Sequence, residues 1–287
     1  MKIYQRYLHG MPVYLVRHYW WAYLWPKAVW FFDHQMIINA ILFGQYQKLM
    51  KATLARLQHA PQQCVLQLTC VYGSLTPALL QQLKSSALHI TDVATVQLRL
   101  AQSKQKHGQR LLATRMNAES LAYKSNSFST IVLFFLLHEM PHEVRCHTLS
   151  ECMRTLKPGG SLIMTEYGEL PVNHWLYRFA ATRWMITWLE PFLDGFWHED
   201  IELLLNESGQ PLGKRVERVA QENIFAAFYR VTEFKIIQGC KLKPAPLHSG
   251  HLIPRGEGGD GGDPKSNPYK CNDHAQHTRH IACSVDV

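Results

Sequence analysis

The chain has 287 residues, 47% of them hydrophobic and 18% charged, with a formal charge of +8. This composition supplies enough apolar residue for a core and excludes a chain that is disordered throughout. The positive balance admits an anionic partner (nucleic acid, acidic lipid or phosphate) without choosing among them. The seven cysteines are odd in number and form no C-x-x-C pair, so they are read as free thiols of a reducing compartment. The first residues mix aromatics with charges, so no signal peptide is expected. No run of about 18 uncharged apolar residues argues for a transmembrane helix.

Residues 1–60 form an aromatic-rich helical segment. The first fifty hold thirteen Phe, Trp or Tyr, five Lys or Arg, and a single acid, Asp33. Rings with a polar edge beside positive charge suit the headgroup layer of a membrane. The same rings would also suit a helical lid packed on a core. From residue 61 to about 236 the pattern becomes α/β. Val65–Leu68 is a buried strand, 77–85 a helix, 87–90 a strand ending at Asp92, and 96–106 a helix. A short strand follows at 110–113, a strongly apolar one at 130–135 and a helix at 142–156. That helix is stopped by "KPGG", ahead of a fifth strand at 161–166. Strands alternating with helices imply a doubly wound, mostly parallel sheet, and "RVERVAQENIFAAFYRVTEFKI" closes it with an antiparallel hairpin.

Residues 169–200 interrupt this core with four of the eight tryptophans, the other four lying at Trp20, Trp21, Trp25 and Trp30. Tyr177, Ala181, Trp184 and Trp188 have the spacing of one helical face, which suits a core-facing stripe or an apolar ligand entrance. Residues 237–287 are glycine-rich, then polar and histidine-rich, and are read as a disordered tail. Cys271, His274, His277, His280 and Cys283 recur there every third residue but match no zinc spacing.

Four pieces carry the chemistry: "VLQLTCVYGSLT", Asp92, "NAESLAYKSNSFSTIV" and "LSECMRTLKPGGSLIMTE". In order and spacing they resemble the class I S-adenosylmethionine-dependent methyltransferases, most closely the ubiquinone/menaquinone C-methyltransferase branch. The resemblance implies a Rossmann-like fold in which the turn after the first strand, the acid after the second and the Asn117–Ala118 loop hold the cofactor. Glycines would let backbone approach the ligand, and the following helix N-terminus would favour its carboxylate. A carboxylate at Asp92 can accept two ribose hydroxyls. The departures are Gln67 for the usual acid, Thr69 and Val71 for glycines, Tyr72 ahead of the retained Gly73, Asn117 for an acid, and Ser129.

"VYGSLTP", "HYWWAYLWP", "FFDHQMIINAILFGQY" and "FFLLHEMP" are similar to the rhodoquinone biosynthesis proteins over residues 1 to about 236. That resemblance implies conversion of ubiquinone to rhodoquinone. A ring methoxy group is replaced by an amino group, with S-adenosylmethionine as nitrogen donor and a divalent metal such as manganese. Gln67, Thr69, Tyr72, Gly73, Asp92, Asn117 and Ala118 are the expected cofactor contacts. His138 and Glu139 after the fourth strand, and Glu166 after the fifth, lie on the edge where such sheets bind ligands. They are candidate general acid/base groups, with Glu139 and Glu166 as candidate metal ligands. Glu119 is placed near adenine and His142 at the surface. The expected partners are ubiquinone and a membrane lipid surface, for a cytoplasmic protein held peripherally at the inner membrane. No basic run with interleaved aromatics points to nucleic acid. A methyltransferase acting on a quinone or other lipid is the alternative, and a non-catalytic quinone- or lipid-binding protein a third.

Overall fold

The structure, a computed structural model, describes residues 10–83, 86–172 and 174–239, which lie within one compact unit spanning Met1–Leu242. The histidine-rich tail and its third-residue Cys/His pattern fall outside the described residues. Five helices lead in: α1 (Val13–His18), α2 (Trp20–Tyr23), α3 (Pro26–Phe32), α4 (Gln35–Ile41) and α5 (Tyr46–His59). The core then alternates: β1 (Val65–Leu68), α6 (Leu75–Leu83), β2 (Leu88–Asp92), α7 (Thr95–Ser103), β3 (Leu111–Arg115) and β4 (Phe128–Phe134). After a 3-10 turn at Leu137–Glu139 come α8 (His142–Thr155) and β5 (Leu156–Tyr167). The aromatic insertion forms α9 (Trp175–Arg178), α10 (Ala180–Leu189) and α11 (Leu193–Trp197). Then α12 (Ile201–Gly209), β6 (Lys214–Ile224) and β7 (Tyr229–Gln238) close the unit.

The seven strands lie in the order β3-β2-β1-β4-β5-β7-β6. The first five are parallel; β7 runs antiparallel to β5, with Ser161 opposite Lys235 and Tyr167 opposite Tyr229. β6 and β7 form the expected hairpin. Every residue of β1 and β4 is buried, as in central parallel strands covered on both faces. The strand order reverses between β1 and β4, which opens a crevice at their carboxyl ends. At "KPGG" the helix ends at Thr155, and Gly159 takes φ +75 in the first residues of β5.

The two aromatic additions differ from expectation in one respect each. The predicted face of Tyr177, Ala181, Trp184 and Trp188 is broken, because Phe179 is extended (ψ 122) between α9 and α10. Trp184 and Trp188 do not face the core: they stack on each other at 6.4 Å with about 70% and 68% of their surface open. The N-terminal helices split their rings between two environments. Tyr19, Ala22, Val29 and Tyr46 are buried against the core, while Trp20, Trp25 and Trp30 point outward. Tyr14 and His18 meet Phe192 at 6.1 and 5.3 Å, joining the leading helices to the insertion. Together they roof the crevice.

Candidate active site

The crevice holds a cavity of about 390 Å³ lined by the ends of β1, β2 and β4, the Met116–Ala118 loop, and residues of α1–α4 and α10. Most of its lining is apolar or aromatic, including Phe32, Ile38, Ile41 and Leu189. That suits a site that removes a large organic ligand from water.

The turn after β1 is built to a different plan from a glycine-rich loop. Thr69 sits at φ +69, where a glycine would be unstrained. Gly73 sits at φ +81, and a Cβ there would lie 2.5 Å from Tyr46 Oη, so the one retained glycine is required. Beyond it, the free N–H groups at the start of α6 have protein partners. Gly73 N donates to Asp33 Oδ1 at 2.9 Å; Ser74 N and Leu75 N donate to Tyr46 Oη at 2.7 and 3.0 Å. Lys104 pairs with Asp33 and also donates to Gly73 O at 2.8 Å. A carboxylate at the positive end of a helix is where a ligand anion was expected. Here Asp33, the lone acid of the first fifty residues, takes that place.

Tyr72 lines the cavity with its ring stacked on Tyr23 at 5.8 Å and 11°. Its hydroxyl is tied to Ala22 O and accepts from Gln97 Nε2 at 2.8 Å. Gln67, expected at the cofactor, does not line the cavity. Its amide donates to Thr69 O at 3.1 Å and accepts from the Thr76 hydroxyl at 2.9 Å, bracing the turn from behind. Gly73 likewise stands behind the wall, whereas Thr69, Cys70 and Val71 form it.

On the β2 side the expected nucleoside residues come together. Asp92, Asn117 and Ala118 all line the cavity. Asp92 accepts from Cys70 N at 2.9 Å and Ala94 N at 2.7 Å. The Cys70 thiol and Val93 N also approach this carboxylate. Burial pushes the Asp92 carboxyl up to about 6, against the pull of those N–H groups. Asn117 is partly occupied with Glu119, which it meets through two 3.1 Å hydrogen bonds. Ser129 is away from the cavity, its hydroxyl on the carbonyls of Pro61 and Cys64.

The third wall is ionisable. Phe135, at φ +54, turns the chain into the 3-10 segment that presents His138 and Glu139. Glu166 lies behind them, fully buried and outside the cavity lining. It accepts from Leu136 N (2.7 Å), Leu137 N (2.6 Å) and His138 Nδ1 (2.7 Å). Burial raises the Glu166 carboxyl, but the His138 charge and these donors outweigh it and hold the group below its usual range. It is therefore ionised and accepts from the Nδ1–H of His138, which fixes the orientation of the ring. Glu166 thus positions His138, in place of the metal-ligand or acid/base role expected of it.

His138 Nε2 points instead to Glu190, 3.7 Å away. Glu190, the residue closing α10, was missed from sequence. One signal could have found it: it is the single acid between residues 175 and 193, in an aromatic run just before Pro191. One donor atom each of His138, Glu139 and Glu190 lies within 4.8 Å of the others. Tyr19 donates to Glu190 at 3.1 Å and Tyr23 donates to Glu139, so the leading helices orient both carboxylates. Burial first, and then the charge of Glu190, push Glu139 up to about 8; burial also raises Glu190. Burial works to lower His138, yet Glu166, Glu190 and Glu139 outweigh it and raise the imidazole to about 9. Two carboxylates and an imidazole are a donor set that fits a divalent cation. His142, read as surface, is partly exposed and pairs with Glu199 at 3.0 Å.

This strand order, the antiparallel β7 and the cavity at the switch point define a Rossmann-like class I methyltransferase fold. Residues 65–160 match a family described as methyltransferase domain. The chain is similar to a demethylmenaquinone methyltransferase of Lactiplantibacillus plantarum, 32% identical over 155 residues, 50% of this chain and 65% of that one. It is also similar to the ubiquinone/menaquinone biosynthesis C-methyltransferase UbiE of Bordetella parapertussis, 28% identical over 157 residues, 52% of this chain and 60% of that one. The match therefore spans less than two thirds of the length of either relative. Similar solved structures include a putative methyltransferase complexed with the Haloferax volcanii Trm112 activator (16% identity, 77% of this chain and 98% of that one, TM-score 0.48). Another is the magnesium protoporphyrin IX methyltransferase of Synechocystis PCC 6803 (14% identity, 66% and 83%, TM-score 0.45).

Proposed function

We propose that the protein is an S-adenosylmethionine-dependent enzyme of quinone metabolism that converts ubiquinone to rhodoquinone, the donor supplying the amino nitrogen that replaces a ring methoxy group. The observation that carries this is the closed N-terminus of α6. Asp33 and Tyr46 fill the place where a methyl donor's carboxylate would be held, so a donor bound here presents its reactive end differently. The nucleoside end of S-adenosylmethionine fits the opposite wall, with Asp92 for the ribose hydroxyls and Asn117 and Ala118 beside the base. A divalent ion such as manganese belongs to the same reading; it would supply Lewis acidity, and His138, Glu139 and Glu190 would hold it. The apolar part of the cavity excludes water and receives the quinone ring.

An isoprenoid quinone resides in a bilayer, so this function places the protein peripherally on the cytoplasmic face of the inner membrane. Among the described residues no helix is long and apolar enough to cross a membrane. The outward tryptophans Trp20, Trp25, Trp30, Trp184 and Trp188 share their segments with exposed Lys27, Arg178 and Arg183, a pairing that suits an anionic headgroup layer.

A second reading, methyl transfer to a quinone, is favoured by the names of the sequence relatives. Mass analysis of ubiquinone after incubation with the protein, S-adenosylmethionine and manganese tests both. Exchange of one methoxy for an amino group is the expected outcome. Unchanged ubiquinone, with methylation of a demethylated quinone offered in parallel, would establish the second reading.

A further inference from the structure

On the proposed function, the amino-acid end of the donor has lost its seat at α6 and needs another. The same cavity provides one feature that lacks a partner. His138 is only 2% exposed and its Nδ1 is committed to Glu166, yet among the described residues its Nε2 has no group within hydrogen-bond reach. Nε2 lies 3.7 Å from Glu190, and a ring nitrogen of His138 shares the 4.8 Å cluster with Glu139 and Glu190. We propose that His138, Glu139 and Glu190 hold a divalent cation whose open coordination positions bind the α-amino and carboxylate groups of S-adenosylmethionine, seating the donor's amino-acid end on the cation instead of on the helix N-terminus. The inference rests on S-adenosylmethionine being the donor.

Several independent features converge on this arrangement. An imidazole held by a carboxylate through its far nitrogen is the usual arrangement of a metal-binding histidine. Glu166 supplies that carboxylate, and Tyr19 and Tyr23 play the corresponding part for Glu190 and Glu139. Three buried or half-buried carboxylates face one imidazole, so the apolar wall carries excess negative charge that a divalent cation neutralises. Three protein donors leave coordination positions open for a divalent ion. An α-amino acid is a natural occupant, because its nitrogen and one carboxylate oxygen close a five-membered chelate ring. Asp92 and Asn117, which would hold the nucleoside, line the same cavity as this cluster, so one ligand can span both. The donors also come from separate parts of the chain: His138 and Glu139 from the turn after β4, Glu190 from the insertion.

The test compares two ligands that differ in the amino-acid end. S-adenosylhomocysteine carries it; 5′-methylthioadenosine does not. Each is titrated calorimetrically into the full chain with and without manganese(II). The expected result is that manganese tightens S-adenosylhomocysteine by about tenfold or more and leaves methylthioadenosine unchanged. Linkage then requires the ligand to tighten manganese by the same factor. Glu190→Gln should abolish the coupling while leaving methylthioadenosine binding intact, which also reports that the variant is folded; Glu139→Gln provides a second variant. Pulsed electron paramagnetic resonance of bound manganese should show coupling to the 15N-labelled amino group of S-adenosylhomocysteine. Equal manganese effects on both ligands, or absence of nitrogen coupling, would overturn the proposal while the donor assignment stands. Failure of both ligands to bind would overturn the donor assignment itself. The outcome does not depend on which group the enzyme transfers.

Discussion

Replacing Tyr46 with phenylalanine isolates the closed end of α6 from every other feature of the site. Tyr46 is fully buried and its ring packs edge-on against Phe134 at 6.2 Å, so phenylalanine fills the same space and leaves no cavity. What disappears is one oxygen that accepts from Ser74 N and Leu75 N and donates to Tyr72 O at 3.2 Å. A buried donor left without an acceptor costs about 1–3 kcal/mol, and a neutral hydrogen bond contributes about 1 kcal/mol net. Leu75 is buried, so its N–H bears the full penalty; Ser74 is half-exposed and regains water. The sum is about 2–3 kcal/mol, which for a unit of this size lowers the Tm by roughly 5–10 °C. Thermal unfolding followed by circular dichroism measures it. A Tm within about 1 °C of the parent protein would show that Tyr46 does not hold these groups, and the account of a self-capped helix would fail.

Gly73→Ala places a Cβ 2.5 Å from Tyr46 Oη in a backbone at φ +81, and should destabilise by about 2 kcal/mol. In the Tyr46→Phe background the added cost should shrink, a non-additivity that a double-mutant cycle in urea unfolding detects. S-adenosylhomocysteine affinity should weaken as pH falls through about 6, where Asp92 takes up a proton and loses its acceptor capacity; Asp92→Asn should remove that pH dependence in calorimetry. The stability effect of the same group has the opposite sense. Its folded-state pKa lies above the unfolded 3.8, so the ligand-free protein loses stability, at most about 3 kcal/mol, as pH rises from about 4 through 6. Trp184→Ser with Trp188→Ser should reduce sedimentation with anionic vesicles several-fold while leaving S-adenosylhomocysteine binding unchanged, since both rings face outward.

The parallel core was legible because its strands are short, mostly apolar and punctuated. Val65–Leu68 and the run ending at Phe134 stand out for that reason, and the hairpin follows from two long alternating segments. Asp92, Asn117 and Ala118, expected at the ligand from the resemblance and from the sheet edge where such folds bind ligands, all line the cavity. What escaped depends on contacts distant in sequence. Asp33 reaches Gly73 from 40 residues away and Tyr46 reaches Ser74 from 28, and local patterning cannot reveal either. Glu190 meets His138 across 52 positions, and only its isolation in an aromatic run marks it. Glu166 was assigned to the ligand from its place after the fifth strand, and Gln67 because it stands where the resembling family has an acid. Burial turns both inward, where they brace the residues that line the cavity. The single helical face expected across Tyr177 to Trp188 failed because extended Phe179 splits it, which periodicity does not register.

The most direct test of the central claim uses S-adenosylmethionine carrying 15N in its amino group and 13C in its methyl group, incubated with the protein, manganese(II) and ubiquinone in anionic vesicles. Nitrogen-15 in the quinone ring without carbon-13 is the predicted result, and it would account for a cofactor turn that caps its own helix. Carbon-13 in the quinone without nitrogen-15 would contradict amino transfer and make the enzyme a quinone methyltransferase.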